Sequence, residues 1–436
     1  MRGECTANDF AKPEPINFGP PGSSTINTNK TCFSCFRIPT LHGGSTPGVI
    51  HAFAEARRGE LTASFHQYTG SGAGSCPDGP DTRLAYKRSI DNGASWSPVK
   101  ILMQNNKLRA ENGAEQSQAS PVIDPTTKTL FVGFNQGSAG TVGGLDVPHL
   151  INSTDDGLTW SEPYVVTLNL GGGKTQPADT RTGFAVGPTK GLAVTSPSGG
   201  VRLMLPGEGG KFSATSIYSD NHGQTWNSNG TGAVGEMDWT VCPTAASCPA
   251  GMKYAMINRG GAKDSPNSCQ ISFSADTTTW SRQVSTDNGE IVVGTHHGKP
   301  GLVAVPGALL SSQQISQCRL GLKQNADNSC GTPGSANYTT RTPADVIGHG
   351  MALLISKDGV KWSLFKKLWP YGGMYTTLAA LTTNAAGEAL TYGVIFSAGS
   401  ADGGVGATGT VTYMNFTAVH KNGTMEAELA AAIARI

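Results

Sequence analysis

The chain has 436 residues, with 58 Gly, 25 Pro, only 14% charged residues and a formal net charge of +1. That length allows a large buried core, and glycine and proline dominating over charge suits many short strands in tight turns rather than long helices. Near-neutral charge with scattered basic residues argues against a nucleic-acid partner, and no apolar run reaches the ~18 residues a membrane span needs.

Residues 1–30 are polar and rich in Pro and Gly, which predicts an irregular lead-in. The start, Met1-Arg2-Gly3-Glu4-Cys5, lacks the apolar core of a signal peptide. Nine cysteines include the close pairs Cys32/Cys35, Cys242/Cys248 and Cys318/Cys330. Without histidine partners they read as disulfides rather than zinc ligands, and the odd count leaves one thiol over in a monomer. With Asn-x-Ser/Thr sites at Asn29, Asn152, Asn229, Asn337, Asn415 and Asn422, they give the expectation of a secreted or lumenal protein whose signal has been removed.

From residue 31 the chain becomes repetitive. Cys35-Phe36-Arg37-Ile38-Pro39-Thr40 places an arginine in a strand beside a rigid proline, and Ile50 to Arg57 reads as a second, apolar strand ending in arginine. Three segments then fit Ser-x-Asp/Asn-x-Gly-x-Ser/Thr-Trp, running Ser89–Trp96, Ser153–Trp160 and Ser219–Trp226. Ser274–Trp280, without the glycine, and Ser356–Trp362, one residue short, are weaker copies. Each makes sense as a hairpin turn in which Asp or Asn bonds the turn amides, Gly supplies a positive φ and Trp packs back on the sheet. Strand-like runs such as Arg83–Arg88, Thr129–Phe134, Val201–Leu205 and Met351–Ile355 precede or separate the turns. About four strands per repeat, arranged radially, make a β-propeller. The reading is therefore all-β, with residues 31–436 as one propeller. Thr424 to Ile436 is read as a short C-terminal helix capped by Thr424, with Leu429, Ile433 and Ile436 on one face.

Phe36-Arg37-Ile38-Pro39, followed by Ala52-Phe53-Ala54-Glu55-Ala56-Arg57 and by the repeated Trp turns, resembles the exo-α-sialidases, the lysosomal-type enzymes especially. There the turns are called Asp boxes. The resemblance runs from about residue 31 to about residue 400 and implies a six-bladed propeller. It also implies a retaining glycoside hydrolase acting on glycans that end in sialic acid or its deaminated form, Kdn, with no metal and no organic cofactor. In such enzymes three arginines clamp the carboxylate on the anomeric carbon. A tyrosine activated by a glutamate is the nucleophile, because a carboxylate would be repelled by the substrate's own anion. An aspartate serves as acid and then base.

Residue by residue, the resemblance implies Arg37 as the first triad arginine and Arg57 as a further substrate-binding arginine, with Arg58 on the surface. Asp78 falls where the family's acid/base aspartate stands, eleven residues before Ser89, and Asp81 is its rival. Gln118 falls where relatives approach the C5 substituent of the sugar. Ala255-Met-Ile-Asn258-Arg259 resembles the strand of the second triad arginine, which makes Arg259 that residue. Glu236, with Asp238 behind it, is the acidic candidate upstream that could activate the nucleophile, with extra length at Cys242–Cys248 read as a disulfide-closed loop. Arg341 is preferred as the third triad arginine over Arg319. Leu368-Trp-Pro370 with Gly373-Met-Tyr375-Thr-Thr-Leu378 marks Tyr375, not Tyr371, as the nucleophile. Ser397 occupies the place where relatives often carry a glutamate supporting the first arginine. A Kdn-preferring enzyme, a trans-sialidase and a non-catalytic glycan-binding propeller that keeps the turns but has lost the site are the alternatives. Linkage preference and oligomeric state are not legible.

Overall fold

Each of the five Trp turns closes the third and fourth strands of one antiparallel sheet, and this defines the architecture. The computed structural model describes residues 35–57, 82–102, 115–137, 147–171, 174–177, 184–209, 216–229, 236–242, 248–259, 269–281, 284–286, 298–316, 349–369, 373–383, 389–398, 410–421 and 424–435. Blade one is β1 (Cys35–Gly43), β2 (Ile50–Arg57), β3 (Thr82–Ser89) and β4 (Lys100–Ile101). Blade two is β5 (Glu115–Ile123), β6 (Leu130–Gly137), β7 (Val147–Ser153) and β8 (Tyr164–Val165). A ribbon of β9 (Thr167–Gly171) and β10 (Lys174–Pro177) follows. In blade three the first strand is split into β11 (Phe184–Val186) and β12 (Leu192–Thr195), both paired with β13 (Val201–Gly209), and β14 (Ser216–Ser219) and β15 (Asn227–Asn229) complete it.

Blade four is β16 (Met237–Val241), β17 (Tyr254–Asn258), β18 (Gln270–Ser274) and β19 (Val284–Ser285). Blade five is β20 (Gly301–Val305), β21 (Ala308–Ser316), β22 (His349–Ser356) and β23 (Ser363–Trp369). Blade six is β24 (Gly373–Thr383), β25 (Ala389–Ala398), β26 (Thr410–Lys421) and β27 (Thr424–Arg435). The protein is thus an all-β, six-bladed propeller. The expected C-terminal helix is not formed. Thr424–Arg435 runs antiparallel along β26, from Lys421↔Thr424 to Thr412↔Arg435. The fourth strand of blade six has to come from this segment, and its pairing with β26 overrides the helical spacing of its apolar residues. The Cys242–Cys248 disulfide closes its short loop as expected, and among the described residues Cys269 is a buried free thiol.

The Trp turns share one internal geometry. In the first, Ser89 Oγ accepts from the Gly93 amide at 2.8 Å, and Asp91 accepts from the Ser95 amide at 2.8 Å. In the second, Ser153 and Asp155 hold Gly157 and Thr159 in the same way. The first three turns place two successive residues in the left-handed region, Asn92-Gly93, Asp156-Gly157 and His222-Gly223. The fourth and fifth are one residue shorter and use a single left-handed residue, Thr277 and Gly359.

The turns also join the blades. A Cβ on Gly157 would stand 2.0 Å from the Tyr86 hydroxyl of blade one, and one on Gly223 would stand 2.6 Å from the Phe131 ring of blade two. Gly359 meets Phe273 of blade four in the same way. Gly93 meets Tyr413 of blade six, so this contact also closes the circle. The sequence position read as a source of positive φ is equally a seat for the aromatic ring of the preceding blade.

Among the described residues no strand is shared between the first and last blades, which meet through packing and side-chain bonds. Phe36, Leu41 and Ile50 of blade one form a common core with Ala379, Ile395 and Tyr413 of blade six. Around the axis the innermost segments are linked in turn. Thr40 donates to the Ala119 carbonyl, and Ser120 to the Thr189 carbonyl. Lys190 reaches Asp238 and the Leu302 carbonyl. Lys299 reaches the Thr376 carbonyl and Thr377, and Thr377 donates to the Pro39 carbonyl. All six blades are tied into this buried polar circuit, whose members are hydrogen-bonded as groups removed from water must be.

Candidate active site

Three inner strands break their ladders at the axis. The register of β1 shifts between Arg37 and Thr40, that of β5 between Ser117 and Ser120, and that of β24 between Met374 and Thr376. Each break holds a non-glycine residue with positive φ, namely Ile38 at 51°, Gln118 at 62° and Tyr375 at 38°. Among the described residues the other non-glycine cases are Lys128 and one residue in each of the first four Trp turns. Bulges re-aim side chains, and such backbone strain persists where the surrounding structure enforces it. Arg37, Gln118 and Tyr375 lie at or beside these three bulges, in adjoining blades.

Tyr375 is buried, and its ring packs with Ile38 and Met374. The guanidinium carbons of Arg37 and Arg259 stand 5.6 and 5.8 Å from its ring centre, within the range of cation–π attraction. Arg37 Nη2 also meets the Met374 sulfur at 3.8 Å. Ser397 is buried opposite Met374 on β25.

Glu236 immediately precedes β16, and Arg259 immediately follows β17. Their backbones continue the β16–β17 pairing, with the Arg259 amide donating to the Glu236 carbonyl at 2.8 Å. Arg259 Nη1 then donates to Glu236 Oε2 at 2.6 Å and to the Tyr375 hydroxyl at 3.2 Å. Burial, and next the neighbouring Glu236 carboxylate, push the Tyr375 phenol far above its usual range, against the pull of Arg259 and Arg37. The resting phenol is therefore neutral, with Glu236 beside it.

Arg57 ends β2, two residues beyond Glu55 and on the same face of the strand. Glu55 Oε2 accepts from Arg57 Nε at 2.9 Å and from Arg57 Nη2, while Oε1 accepts from the Gln118 amide at 2.9 Å. Glu55 also lies opposite Arg37 in the β1–β2 register. The Gln118 side chain is half-buried, and its Oε1 accepts from Asn135 Nδ2 at 2.6 Å. Asn135 is itself fixed by the Val186 amide and carbonyl.

Of the site residues read from the sequence, the structure brings Arg37, Arg259, Glu236 and Tyr375 together and places Arg57 and Gln118 on the adjoining Glu55. Asp78, its rival Asp81, Arg341 and its rival Arg319 lie outside the described residues. The sequence reading assigned no task to Glu55, Asn135 or Lys299. Glu55 had a signal, a lone carboxylate between two alanines in a mostly apolar strand. Asn135 and Lys299 had none. Among the described residues no group of three or more His, Cys, Asp or Glu is set to hold a metal ion.

Residues 65–318 match the family model described as a BNR repeat-like domain. The chain is 26% identical over 406 residues to a sialidase of Micromonospora viridifaciens, covering 87% of this chain and 54% of that protein. It is 27% identical over 239 residues to an exo-alpha-sialidase of Arthroderma benhamiae, covering 49% of each. The chain thus spans about half the length of the curated relatives it matches. The NanB sialidase of Streptococcus pneumoniae, solved with a substituted ethanesulfonate, superposes with a TM-score of 0.55 at 15% identity, over 90% of this chain and 68% of that one. At that identity the likeness is one of fold.

Proposed function

This chain belongs to the BNR repeat-like domain family and is a sialidase-family protein, and from that premise we propose that it is a retaining exo-α-sialidase that removes terminal α-linked sialic acids from glycoconjugates. The observation that carries the reading is the position of the Tyr375 hydroxyl, 3.2 Å from Arg259 Nη1, which is also bonded to Glu236. In this reading Arg37 and Arg259 take the substrate carboxylate in charge-assisted bonds, with Arg341 as third partner. The Tyr375 oxygen attacks the anomeric carbon while Glu236 takes the phenolic proton. Asp78 protonates the departing glycosidic oxygen. Water then replaces Tyr375 on the anomeric carbon, giving its proton to Asp78, and the phenol recovers its proton from Glu236. Two displacements at one carbon retain configuration.

The test is hydrolysis of a fluorogenic aryl sialoside by wild type and Tyr375→Phe. Activity in the wild type that is lost in the variant supports the reading. Equal activity, or none in the wild type, sinks it.

A further inference from the structure

Tyr375 occupies a backbone conformation that a bulky side chain rarely adopts, with φ at 38° beside a break in its own ladder. Something outside β24 has to hold it there. The segment that does so is Gly298-Lys299, just before β20 in blade five. A Cβ on Gly298 would stand 2.1 Å from the Tyr375 backbone nitrogen and 2.9 Å from Met374 Cβ, so the chain at 298 lies directly against the peptide preceding Tyr375. One residue on, Lys299 grips Thr376 on both sides, through the peptides before and after it. Its carbonyl accepts from the Thr376 amide at 3.0 Å, and its ammonium donates to the Thr376 carbonyl at 2.6 Å.

The same ammonium donates to Thr377 Oγ1 at 3.2 Å, and Thr377 passes the link to the Pro39 carbonyl at 3.1 Å, two residues from Arg37. On its other side it lies 3.9 Å from Asp238 Oδ2, two residues along from Glu236. Lys299 is 1% exposed. A lysine buried to this degree is rare unless its charge is used, and here every named neighbour belongs to, or adjoins, a strand that carries a proposed site residue.

We propose that Gly298 and Lys299 form a clasp that sets the backbone of Tyr375, with Lys299 a positioning residue for the nucleophile rather than a group that meets substrate. The role rests on the sialidase reading for its catalytic meaning, but not for its geometry. A misplacement of about 1 Å at a reacting group can cost about 100-fold in rate. Lys299→Met is therefore expected to lower kcat on the aryl sialoside about 100-fold, while the inhibition constant of the unsaturated 2,3-dehydro sialic acid analogue stays at the wild-type value. Gly298→Ala, which pushes on the peptide preceding Tyr375, is expected to show the same split, and it serves where Lys299→Met does not fold. Lys190→Met is the control. It removes a buried ammonium from the same Asp238, but one that touches Leu302 rather than Thr376. It is expected to lower stability without the loss of kcat.

A crystal structure of Lys299→Met is expected to show Tyr375 out of the left-handed region with its hydroxyl away from Arg259. Wild-type kcat in both clasp variants, an equal fall in kcat in Lys190→Met, or an unmoved Tyr375 in the crystal would overturn the proposal. A wild type that does not cleave the sialoside ends the sialidase reading, and the crystal structure alone then decides the clasp.

Discussion

The Arg259 guanidinium stands 3.2 Å from the Tyr375 hydroxyl, and this contact links β24 of blade six to blade four. Because the same Nη1 also bonds Glu236 at 2.6 Å, one planar group holds both the proposed nucleophile and its proposed base. Glu236→Gln keeps an oxygen for Arg259 but removes the base. A positioned general base contributes about 10²- to 10⁴-fold, so kcat on the aryl sialoside is expected to fall in that range with KM little changed. Steady-state kinetics check it, and an unchanged kcat would show that Tyr375 loses its proton elsewhere.

Glu55 is the residue on which Arg57 and Gln118 converge. It is 1% exposed, and both its oxygens are engaged. Removing one member of a buried ion pair typically costs about 3–5 kcal/mol, since the other charge stays desolvated. Glu55→Gln is expected to cost about 3 kcal/mol, measured as a lower urea midpoint at unchanged slope. A midpoint equal to that of the wild type would mean that Arg57 is held by its other contacts.

The propeller was legible because its signal is local. Ser with Asp or Asn, and Gly in four of the five, lie within a few residues in each Trp turn, and the bonds from Ser89 and Asp91 are the ones those residue types imply. Arg37, Arg259 and Tyr375 could be singled out because they stand beside short motifs. Other features were not legible. The fate of Thr424–Arg435 depends on whether β26 has a free edge, which no local pattern in that segment encodes. Lys299 meets Thr376, 77 positions away, and such a contact leaves no spacing to read.

Acid should weaken the join between blades one and two. His51 is fully buried, with Nδ1 2.9 Å from the Tyr86 hydroxyl and Nε2 3.1 Å from Asp156 Oδ1. Burial holds its pKa below 6.5, against the pull of Asp156 and with a smaller push from Arg88. Between the folded value and 6.5 the unfolded chain binds the extra proton, so stability rises with pH through that window and is lost as pH falls below 6.5. Asp156 adds to the loss at lower pH. Burial opposes its ionisation, but bonds from His51, Ser45 and Thr46 outweigh it and keep its carboxyl below its usual value. Thermal midpoints measured from pH 7.5 to pH 5 are expected to fall in the wild type and to fall less in His51→Gln, which starts lower but has no imidazole to charge. Parallel curves would remove His51 from the account.

Asp238 gives the sharpest electrostatic test away from the reacting groups. It is fully buried between two lysines, with Oδ1 on the Lys190 ammonium and the Trp239 amide and Oδ2 on the Leu302 amide. Asp238→Asn leaves two ammonium groups in the interior without their carboxylate, and the expected cost at pH 7 is about 3–5 kcal/mol. Burial already pushes Lys299 down to about 8, and Asp238 is the first influence resisting it. Without the carboxylate both lysines hold their protons less well in the folded state, whereas the unfolded chain keeps them until about 10.5. The unfolded state then binds more protons over this range, so the variant gains stability relative to the wild type as pH rises. Denaturant titrations at pH 7 and pH 9.5 are expected to show the cost of Asp238→Asn shrinking at the higher pH. A cost that is the same at both would mean that Asp238 acts through its backbone bonds and not through its charge.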